Sequence, residues 1–380
     1  MKPSGLYIHI PFCVRKCPYC DFCSITDSSL QTPYVEALLL EIQMHAPQAT
    51  IFDTLYLGGG TPSILAVTAI ERILGAVGRA YNFQVQAEIT IEINPGTIDT
   101  RTLSAYRRAG INRVNIGVQS FEPANLIFLG RIHSAAQSVA AIKAAREAGF
   151  DNIGIDLIYG LPDQTESAWQ ADLVKALEFQ PEHLACYMLT YESGTPLDEA
   201  RQNGRVIPLT EDRSARLLAL TQQILTPRDY AQYEISNFAR IVHGDPDTFR
   251  SRHNLKYWSM APYLGLGPGA HSYAHPIRWW NLEQVPAYIA ALDAGRRPIA
   301  GRERLNREQQ MMEALYLGLR KTVGIDVAAF EKRFAVDFKG HLGQPLADMA
   351  QEGVLTLSDN RCALTPKGMR LLDSVLARLV

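Results

Sequence analysis

Short β-rich runs alternate with amphipathic helical stretches through the first half of the chain, and this alternation constrains the fold more than any other feature. Six strands are predicted, at Leu6–Ile10, Thr54–Leu57, Glu88–Ile93, Arg113–Val118, Asn152–Ile158 and His183–Met188. The intervening segments repeat apolar residues with a period of about 3.6, as amphipathic helices do. Consecutive β/α units predict a parallel sheet. The count fits an α/β fold with an open, partial (β/α)6 TIM-like barrel better than a full eight-stranded one.

The length of 380 residues suggests more than one domain. We expect the barrel to occupy residues 1–205 and a less regular, aromatic- and Gly-rich extension to occupy 206–300. Residues 301–380 read as three helices, a hairpin over Leu355–Leu364 and a last helix from Pro366, which is the order of a winged-helix-like domain.

The charges argue against a nucleic-acid partner. The formal net charge is −2, and the 12 Lys and Arg of residues 301–380 face 10 Asp and Glu with no basic stripe. No run approaches the roughly 18 apolar residues of a membrane span. Residues 1–5 lead directly into the first strand, so we expect no signal peptide and a cytoplasmic protein. Peripheral membrane contact and the oligomeric state stay open.

Three cysteines follow the first predicted strand with the spacing Cys-x3-Cys-x2-Cys. They are Cys13, Cys17 and Cys20, with the aromatic Tyr19 directly before the third. Three thiolates can hold three irons of a [4Fe–4S] cluster and leave the fourth iron open to a further ligand. The carboxyl ends of barrel strands carry the chemistry in such folds, and this loop lies at one of them.

A structural zinc site is the alternative, with Cys23 as the fourth ligand. Zinc ribbons usually bring a second Cys pair, whereas Cys186 and Cys362 stand alone. A disulfide framework is disfavoured because the chain has only six Cys. We therefore favour the iron–sulfur cluster and treat Cys23 as a spare thiol or, at most, a redox accessory.

Polar and glycine residues follow the other predicted strands. The run Gly58–Pro62 follows the second strand, and its glycines allow close backbone approach and offer N–H donors to a ligand. Glu92 ends the third strand, Gln119 ends the fourth, Arg131 follows, and Asp156 interrupts an apolar strand. Each signal is weak alone, but parallel strands bring them to one rim.

The cysteine loop and the glycine run together resemble the radical S-adenosylmethionine (SAM) superfamily. In that superfamily SAM chelates the open iron, takes up an electron and splits into methionine and a 5′-deoxyadenosyl radical. Within it, the chain resembles oxygen-independent coproporphyrinogen III oxidase. The resemblance implies SAM contacts from Tyr7, Gly59, Gly60, Thr61, Glu92, Gln119, Arg131 and Asp156.

The chain departs from that oxidase at Phe22, where the oxidase has a fourth Cys. Its later motifs Tyr233–Ala239, His253–Trp258 and Tyr263–Ser272 resemble the heme-chaperone branch, HemW, which binds heme and delivers it to acceptor proteins. The resemblance implies heme as cargo and heme-acceptor proteins, such as respiratory ones, as partners. Decarboxylation of coproporphyrinogen propionates, or radical chemistry on another tetrapyrrole, stays the alternative, and SAM cleavage is left open.

The motif that begins at His253 offers a heme site. A neutral imidazole is a common axial ligand to heme iron, and Tyr257 and Trp258 add flat apolar surface. The alternative is a core histidine packed among aromatic rings. His271 is the second candidate. The nearby run Gly265–Ala270 superficially resembles a dinucleotide loop, but it predicts a tight structural turn.

Overall fold

The structure is a computed structural model and describes residues 3–45 and 50–379. Its strands are β1 (Ser4–Ile10), β2 (Ile51–Gly59), β3 (Asn82–Ile93), β4 (Arg113–Gln119), β5 (Ile153–Tyr159), β6 (His183–Met188), β7 (Tyr230–Gln232), β8 (Asn237–Arg240), β9 (Tyr263–Leu266), β10 (His271–Ala274), β11 (Ile277–Asn281), β12 (Ile299–Arg304), β13 (Ile325–Asp326), β14 (Leu355–Leu357) and β15 (Arg361–Leu364). Its helices are α1 (Gln31–Met44), α2 (Val67–Ala80), α3 (Thr100–Arg108), α4 (Pro123–Phe128), α5 (Ala135–Glu147), α6 (Glu166–Leu177), α7 (Pro196–Gln202), α8 (Glu211–Leu225), α9 (Arg252–Trp258), α10 (Val285–Asp293), α11 (Arg307–Arg320), α12 (Val327–Phe334), α13 (Phe338–Gln351), α14 (Pro366–Met369) and α15 (Leu372–Leu379).

Strands β1 to β6 lie side by side in chain order, and every neighbouring pair is parallel. This arrangement confirms the predicted partial (β/α)6 barrel. Parallel strands need crossover connections, and the helices between them supply these. The outward side chains Leu6, Ile8 and Ile10 of β1 are fully buried in the core shared with the helices.

The same sheet continues beyond both ends of the barrel. Strand β9 pairs in parallel with β1, and β10, β11 and β12 follow in antiparallel order, while β8 and β7 extend the other edge beyond β6. The sequence predicts a less regular segment over 206–300. The structure instead has short strands here. They were not predicted because each holds only 3 to 6 residues, too few for a clear alternating pattern.

The C-terminal module has a hydrophobic core of its own, which includes Phe330, Phe338 and Met349. Helices α11, α12 and α13 precede the β14–β15 hairpin, and β13 pairs with β15 on its other side. The structure thus confirms the predicted C-terminal helical, winged-helix-like module, although its last helix is split into α14 and α15. None of the helices within residues 3–45 and 50–379 combines the length and the apolar character of a membrane-spanning segment.

A buried carboxylate joins the extension to the barrel. Glu41 of α1 is fully buried and accepts hydrogen bonds from Gly267 N (2.8 Å), Asn281 Nδ2 (2.6 Å) and the Tyr288 hydroxyl (2.6 Å). These donors belong to the loop after β9, to β11 and to α10. Burial raises the pKa of Glu41 to about 7 despite these donors. One side chain therefore connects α1 to three later segments.

We expect Glu41→Ala to lower the free energy of unfolding by about 3–5 kcal/mol, because it leaves three buried donors without their acceptor. Urea unfolding followed by circular dichroism measures the loss. The matched control is Glu36→Ala, also on α1, which removes an exposed ion pair with Arg72 of α2 and should cost at most about 1 kcal/mol. Equal losses in the two variants would contradict the assigned role of Glu41.

Candidate functional site

The loop after β1 holds the three predicted cluster cysteines at the carboxyl end of the barrel. Two backbone hydrogen bonds close its base, from Ile25 N to Pro11 O (2.8 Å) and from Cys13 N to Ile25 O (2.9 Å). Within the loop, Cys20 N donates to Cys17 O at 3.1 Å. The three cysteines are partly exposed free thiols on one compact loop.

Two of these sulfurs receive side-chain donors from other elements. The Thr61 hydroxyl lies 3.7 Å from Cys13 Sγ, and Arg131 Nη1 lies 3.7 Å from Cys17 Sγ. Burial raises the pKa of Cys20, and the nearby thiols of Cys17 and Cys13 add to this rise. Donors such as the Thr61 hydroxyl and the Arg131 guanidinium stabilise a thiolate, and the thiolate is the form of cysteine that binds metal.

Cys23 is held apart from this set. Its Sγ donates to Glu283 O at 3.0 Å, in the loop after β11, and its carbonyl oxygen contacts His9 Nε2 at 2.7 Å. In the described part of the chain, no three His, Cys, Asp or Glu side chains gather tightly enough to hold one metal ion. A [4Fe–4S] cluster takes one thiolate per iron, so its ligands need not meet at a point. The position of Cys23 disfavours a four-thiolate zinc site.

The glycine run lies directly against the cysteine loop. A Cβ added to Gly60 would come within 2.6 Å of Phe12 O and 3.0 Å of Cys13 Sγ, and Gly59 adopts a φ of 110°. Only glycine permits this approach. The expectation of free N–H donors is wrong, because the N–H groups of Gly59, Gly60 and Thr61 donate to Glu92, Ile10 and Phe12.

Two carboxyl groups project into the barrel from β3 and β5. Glu92 accepts from the Tyr56 hydroxyl (2.7 Å) and from Gly59 N (3.2 Å). Asp156 Oδ2 accepts from Asn115 Nδ2 (2.7 Å), whereas Oδ1 is buried without a hydrogen-bond partner among the described residues. Burial raises the pKa of Glu92 to about 7 and that of Asp156 to about 6.

Arg131 links these strand ends to the cysteine loop. Its Nη2 donates to Gly117 O at 2.9 Å and to Asn94 Oδ1, while Nη1 contacts Cys17 Sγ. Its buried Nε has no hydrogen-bond partner within residues 3–45 and 50–379. Gln119 ends β4 with a φ of 67°, a conformation that costs energy for a residue other than glycine. Such strain is often retained at functional sites.

Tyr7 lies deeper on the same inner wall. Its hydroxyl contacts His9 Nδ1 at 2.9 Å, and its ring lies 6.3 Å from those of both Tyr56 and His253. Burial, reinforced by the charge of Glu92, raises the pKa of the Tyr7 hydroxyl well above its usual value. Tyr7 is therefore an uncharged hydrogen-bonding group near the Glu92 carboxylate.

Many polar residues of the inner wall were not predicted from the sequence. Thr54, Tyr56, Thr90, Arg113 and Asn115 are all buried polar residues that share the barrel interior with the predicted side chains. They could have been found, because they recur at every second position of strands that are otherwise apolar. That alternation marks a polar inner face and an apolar outer face.

His253, the predicted heme ligand, is buried beneath this site. Its side chain is 1% exposed, Nδ1 contacts the Thr54 hydroxyl and Nε2 contacts the Tyr257 hydroxyl, both at 2.9 Å. Its ring stacks on Tyr56 at 5.1 Å, and Glu88 accepts from its backbone N–H. Burial lowers the pKa of His253 to about 3 and keeps the ring neutral. Iron coordination would require release of one of the two hydroxyls.

The remaining heme candidates are more accessible. Trp258 is partly buried under the Arg320 guanidinium, 4.5 Å from its ring centroid. His271, by contrast, is exposed and stacks on Trp280 at 5.8 Å. The structure therefore separates the two candidate histidines into one buried and one exposed.

The donor set fits an open-iron cluster with a second, amino-acid-bearing cofactor beside it. The thiols lie on one loop, the Gly60 backbone packs directly against Cys13, and Asp156 Oδ1 and Arg131 Nε are buried polar atoms with no partner among the described residues. Buried polar atoms of this kind normally have partners, so their state points to a missing ligand.

Comparison with known proteins agrees with this geometry. A family model of the radical SAM superfamily matches residues 7–175, and a model of the HemN C-terminal domain matches residues 305–371. The structure superposes on coproporphyrinogen III oxidase (HemN) from Escherichia coli with a TM-score of 0.84, covering 99% of this chain and 90% of that one at 25% identity. The chain therefore has a radical SAM fold, and this superfamily implies a [4Fe–4S] cluster and SAM.

Curated relatives narrow the assignment. The chain is 35% identical to "Heme chaperone HemW" of Lactococcus lactis over 100% of this chain and 98% of the relative. It is 38% identical to the HemW of Synechocystis, over 86% and 80%, and 32% identical to that of Bacillus subtilis, over 98% of each. The chain belongs to the HemW family, which confirms the resemblance read from its late motifs.

We expect Cys13→Ser, Cys17→Ser and Cys20→Ser each to abolish cluster assembly, because each removes the sole thiolate on one iron. Cys23→Ser should largely spare it, since this sulfur faces Glu283. Iron and sulfide content after anaerobic reconstitution, with the visible absorbance of the cluster, gives the answer. An empty site in Cys23→Ser alone would show that the three-ligand assignment is wrong.

The raised pKa of Glu92 predicts that the free energy of unfolding of the SAM-free protein depends on pH. An unfolded Glu ionises near pH 4.3, but the folded pKa is about 7, so the folded state loses relative stability as pH rises through this window. We expect Glu92→Gln to stabilise the protein by about 1–2 kcal/mol more at about pH 8 than at about pH 5.5. Urea unfolding at both pH values measures this.

The matched control for that experiment is Glu36→Gln. Hydrogen bonds from Arg72 lower the pKa of Glu36, which is the opposite shift. The control should therefore show no gain that grows with pH. A Glu92→Gln effect that is independent of pH would mean that this carboxyl is ionised throughout the range.

Proposed function

We propose that the protein binds heme and delivers it to acceptor proteins, with a radical SAM core that holds a [4Fe–4S] cluster and SAM. The observation that carries this proposal is the similarity over whole chains to proteins named heme chaperones. The proposal places the protein in the cytoplasm, where reducing conditions keep cluster-binding thiols reduced. Its partners would be heme and the proteins that receive it.

Exposed apolar side chains on the cysteine loop and nearby segments support a flat apolar cargo. On the cysteine loop, Val14 and Phe22 are 60% and 58% exposed, and Ile132, beside Arg131, is 49% exposed. Tyr187 and Met188, at the carboxyl end of β6, are exposed as well. Exposed apolar groups that gather around one opening mark binding surfaces. A porphyrin face offers apolar surface of the matching kind.

In this proposal the residues of the rim have separate tasks. Cys13, Cys17 and Cys20 hold the cluster, and the eight predicted SAM contacts line the cofactor beside it. Glu92 and Asp156 are placed to accept from hydroxyl groups, and Arg131 to donate to a carboxylate. When bound, the cluster and SAM supply one-electron chemistry, and the barrel wall excludes bulk water from it.

The rival function is oxidative decarboxylation of coproporphyrinogen III, favoured by the structural similarity to HemN. Phe22 stands where that oxidase has its fourth Cys, and the curated relatives carry the chaperone name instead. Anaerobic turnover of the reconstituted protein with coproporphyrinogen III, SAM and a reductant separates the two functions. The chaperone proposal expects no protoporphyrinogen IX.

We expect the cluster-reconstituted protein to take up heme with a saturable Soret band in an anaerobic titration. It should then pass the heme to an apo-acceptor such as apomyoglobin, which serves as a generic probe. The control is the same protein with an excess of metal-free porphyrin, which should compete for the apolar surface. Absence of specific heme uptake, together with coproporphyrinogen turnover, would overturn the proposal in favour of the oxidase.

The assignment of His253, Tyr257 and Trp258 as heme contacts stays a prediction. In the described conformation His253 Nε2 is occupied by the Tyr257 hydroxyl. If His253 is the iron ligand, Tyr257→Phe frees this nitrogen, so heme affinity should rise. A buried structural histidine predicts no change in affinity for the same variant.

A further inference from the structure

The exposed histidine at the start of β10 forms a cross-strand pair with an aromatic ring. His271 lies opposite Trp280 of β11, and the two rings stack at 5.8 Å with an interplanar angle of 22°. Gly301 of β12 makes room for the indole, because a Cβ there would lie 2.4 Å from the Trp280 ring. Strands β10, β11 and β12 thus each contribute one residue to the position of the His271 imidazole.

This pair lies on the same face of the sheet as the inner wall of the barrel. Tyr263 of β9 contacts the rings of both Tyr257, at 4.7 Å, and Tyr273, at 6.3 Å. Side chains two residues apart on a strand share a face, so His271 lies on the face of Tyr273. Strand β9 is parallel to β1, and β10 is antiparallel to β9. The first residue of β10, His271, therefore lies at the same edge of the sheet as the carboxyl end of β1.

The cysteine loop is the neighbour of this end of β10. A Cβ added to Gly269 would lie 3.2 Å from Cys23 Cβ, and Cys23 Sγ donates to Glu283 O. The same loop carries the exposed Phe22 and the exposed Lys16, whose Nζ donates to Phe22 O at 3.0 Å, whereas Arg15 is held by the Gly130 and Arg131 carbonyls. The loop next to the imidazole thus offers an apolar surface for a macrocycle and one positive charge for its carboxylates.

The imidazole of His271 is available to a metal. Among the described residues, none hydrogen-bonds to either of its ring nitrogens. Partial burial and the nearby Arg278 lower its pKa, while Glu283 opposes this, so the ring is largely neutral at neutral pH. Neutral imidazole is the form that ligates iron. The ring of His253 is neutral as well, but both of its nitrogens are occupied by hydroxyl groups within the core.

We propose that His271, stacked on Trp280, is the axial ligand to the heme iron. The inference rests on the proposed heme binding and assigns its iron ligand. The heme then lies at the open end of the barrel, with one edge at Trp280 and a propionate near Lys16 of the cysteine loop.

The test is an anaerobic hemin titration of the full-length, cluster-reconstituted protein. We compare wild type with His271→Ala, with His253→Ala and with His275→Ala, an exposed histidine just after β10 that serves as the matched control. Hemin affinity should fall by at least about tenfold in His271→Ala and stay unchanged in His275→Ala. Added imidazole should restore the wild-type heme spectrum to His271→Ala, and metal-free protoporphyrin IX should bind both proteins equally.

The outcomes separate this inference from the proposed function. If wild type takes up no hemin, the proposed function itself is wrong. If wild type binds hemin and His271→Ala binds it equally well with an unchanged spectrum, the ligand lies elsewhere and the inference is overturned. A spectral loss in His253→Ala alone, with cluster content intact, would assign the iron to the buried histidine and would also overturn it.

Discussion

The polar inner wall of the open barrel is the constraint on which the rest of the structure depends. Arg113 and Glu88 are almost fully buried, and Arg113 Nε and Nη2 lack hydrogen-bond partners in the part of the chain that is described. Ionisable groups are expensive to bury, and a wall of them persists only if other groups compensate. Helix α9 supplies part of this compensation, because Glu88 accepts the backbone N–H groups of Arg252 and His253 at its first turn.

This compensation connects the motif that begins at His253 to the carboxylate at the end of β3. His253 stacks on Tyr56, and Tyr56 donates to Glu92 at the rim. The motif that begins at His253 therefore forms the floor beneath Tyr56 and the Glu92 carboxylate. A change at His253 would alter the support of Tyr56 and thus the position of the Glu92 carboxylate. Loss of heme binding in such a variant would not by itself identify a ligand, which is why spectra and a second histidine are needed.

The sequence predicted the parallel strands well because their apolar runs are long and their order follows the chain. It also indicated that the cysteine loop, Glu92 and Asp156 lie at or near strand ends, since each follows, ends or interrupts such a run, whereas Arg131 comes after α4. It could not place β9–β12 in the same sheet, because strands of 4 to 6 residues carry little periodicity and their pairing is set by distant contacts such as Glu41 with Asn281. Nor could it show that His253 is enclosed and His271 exposed, since burial depends on which elements pack around each ring.

The spacing of the fourth cysteine now has a physical interpretation. The oxidase places its fourth Cys two residues after the third, whereas here Phe22 occupies that position and is 58% exposed. Moving the thiol by one residue turns it away, and Cys23 Sγ meets Glu283 O instead of the cluster side of the loop. Phe22 therefore presents an apolar ring at the open end of the barrel, and Cys23 fastens the loop to the segment after β11. In the proposed function this exposed ring suits holding a tetrapyrrole, since it adds apolar contact surface without adding a thiol.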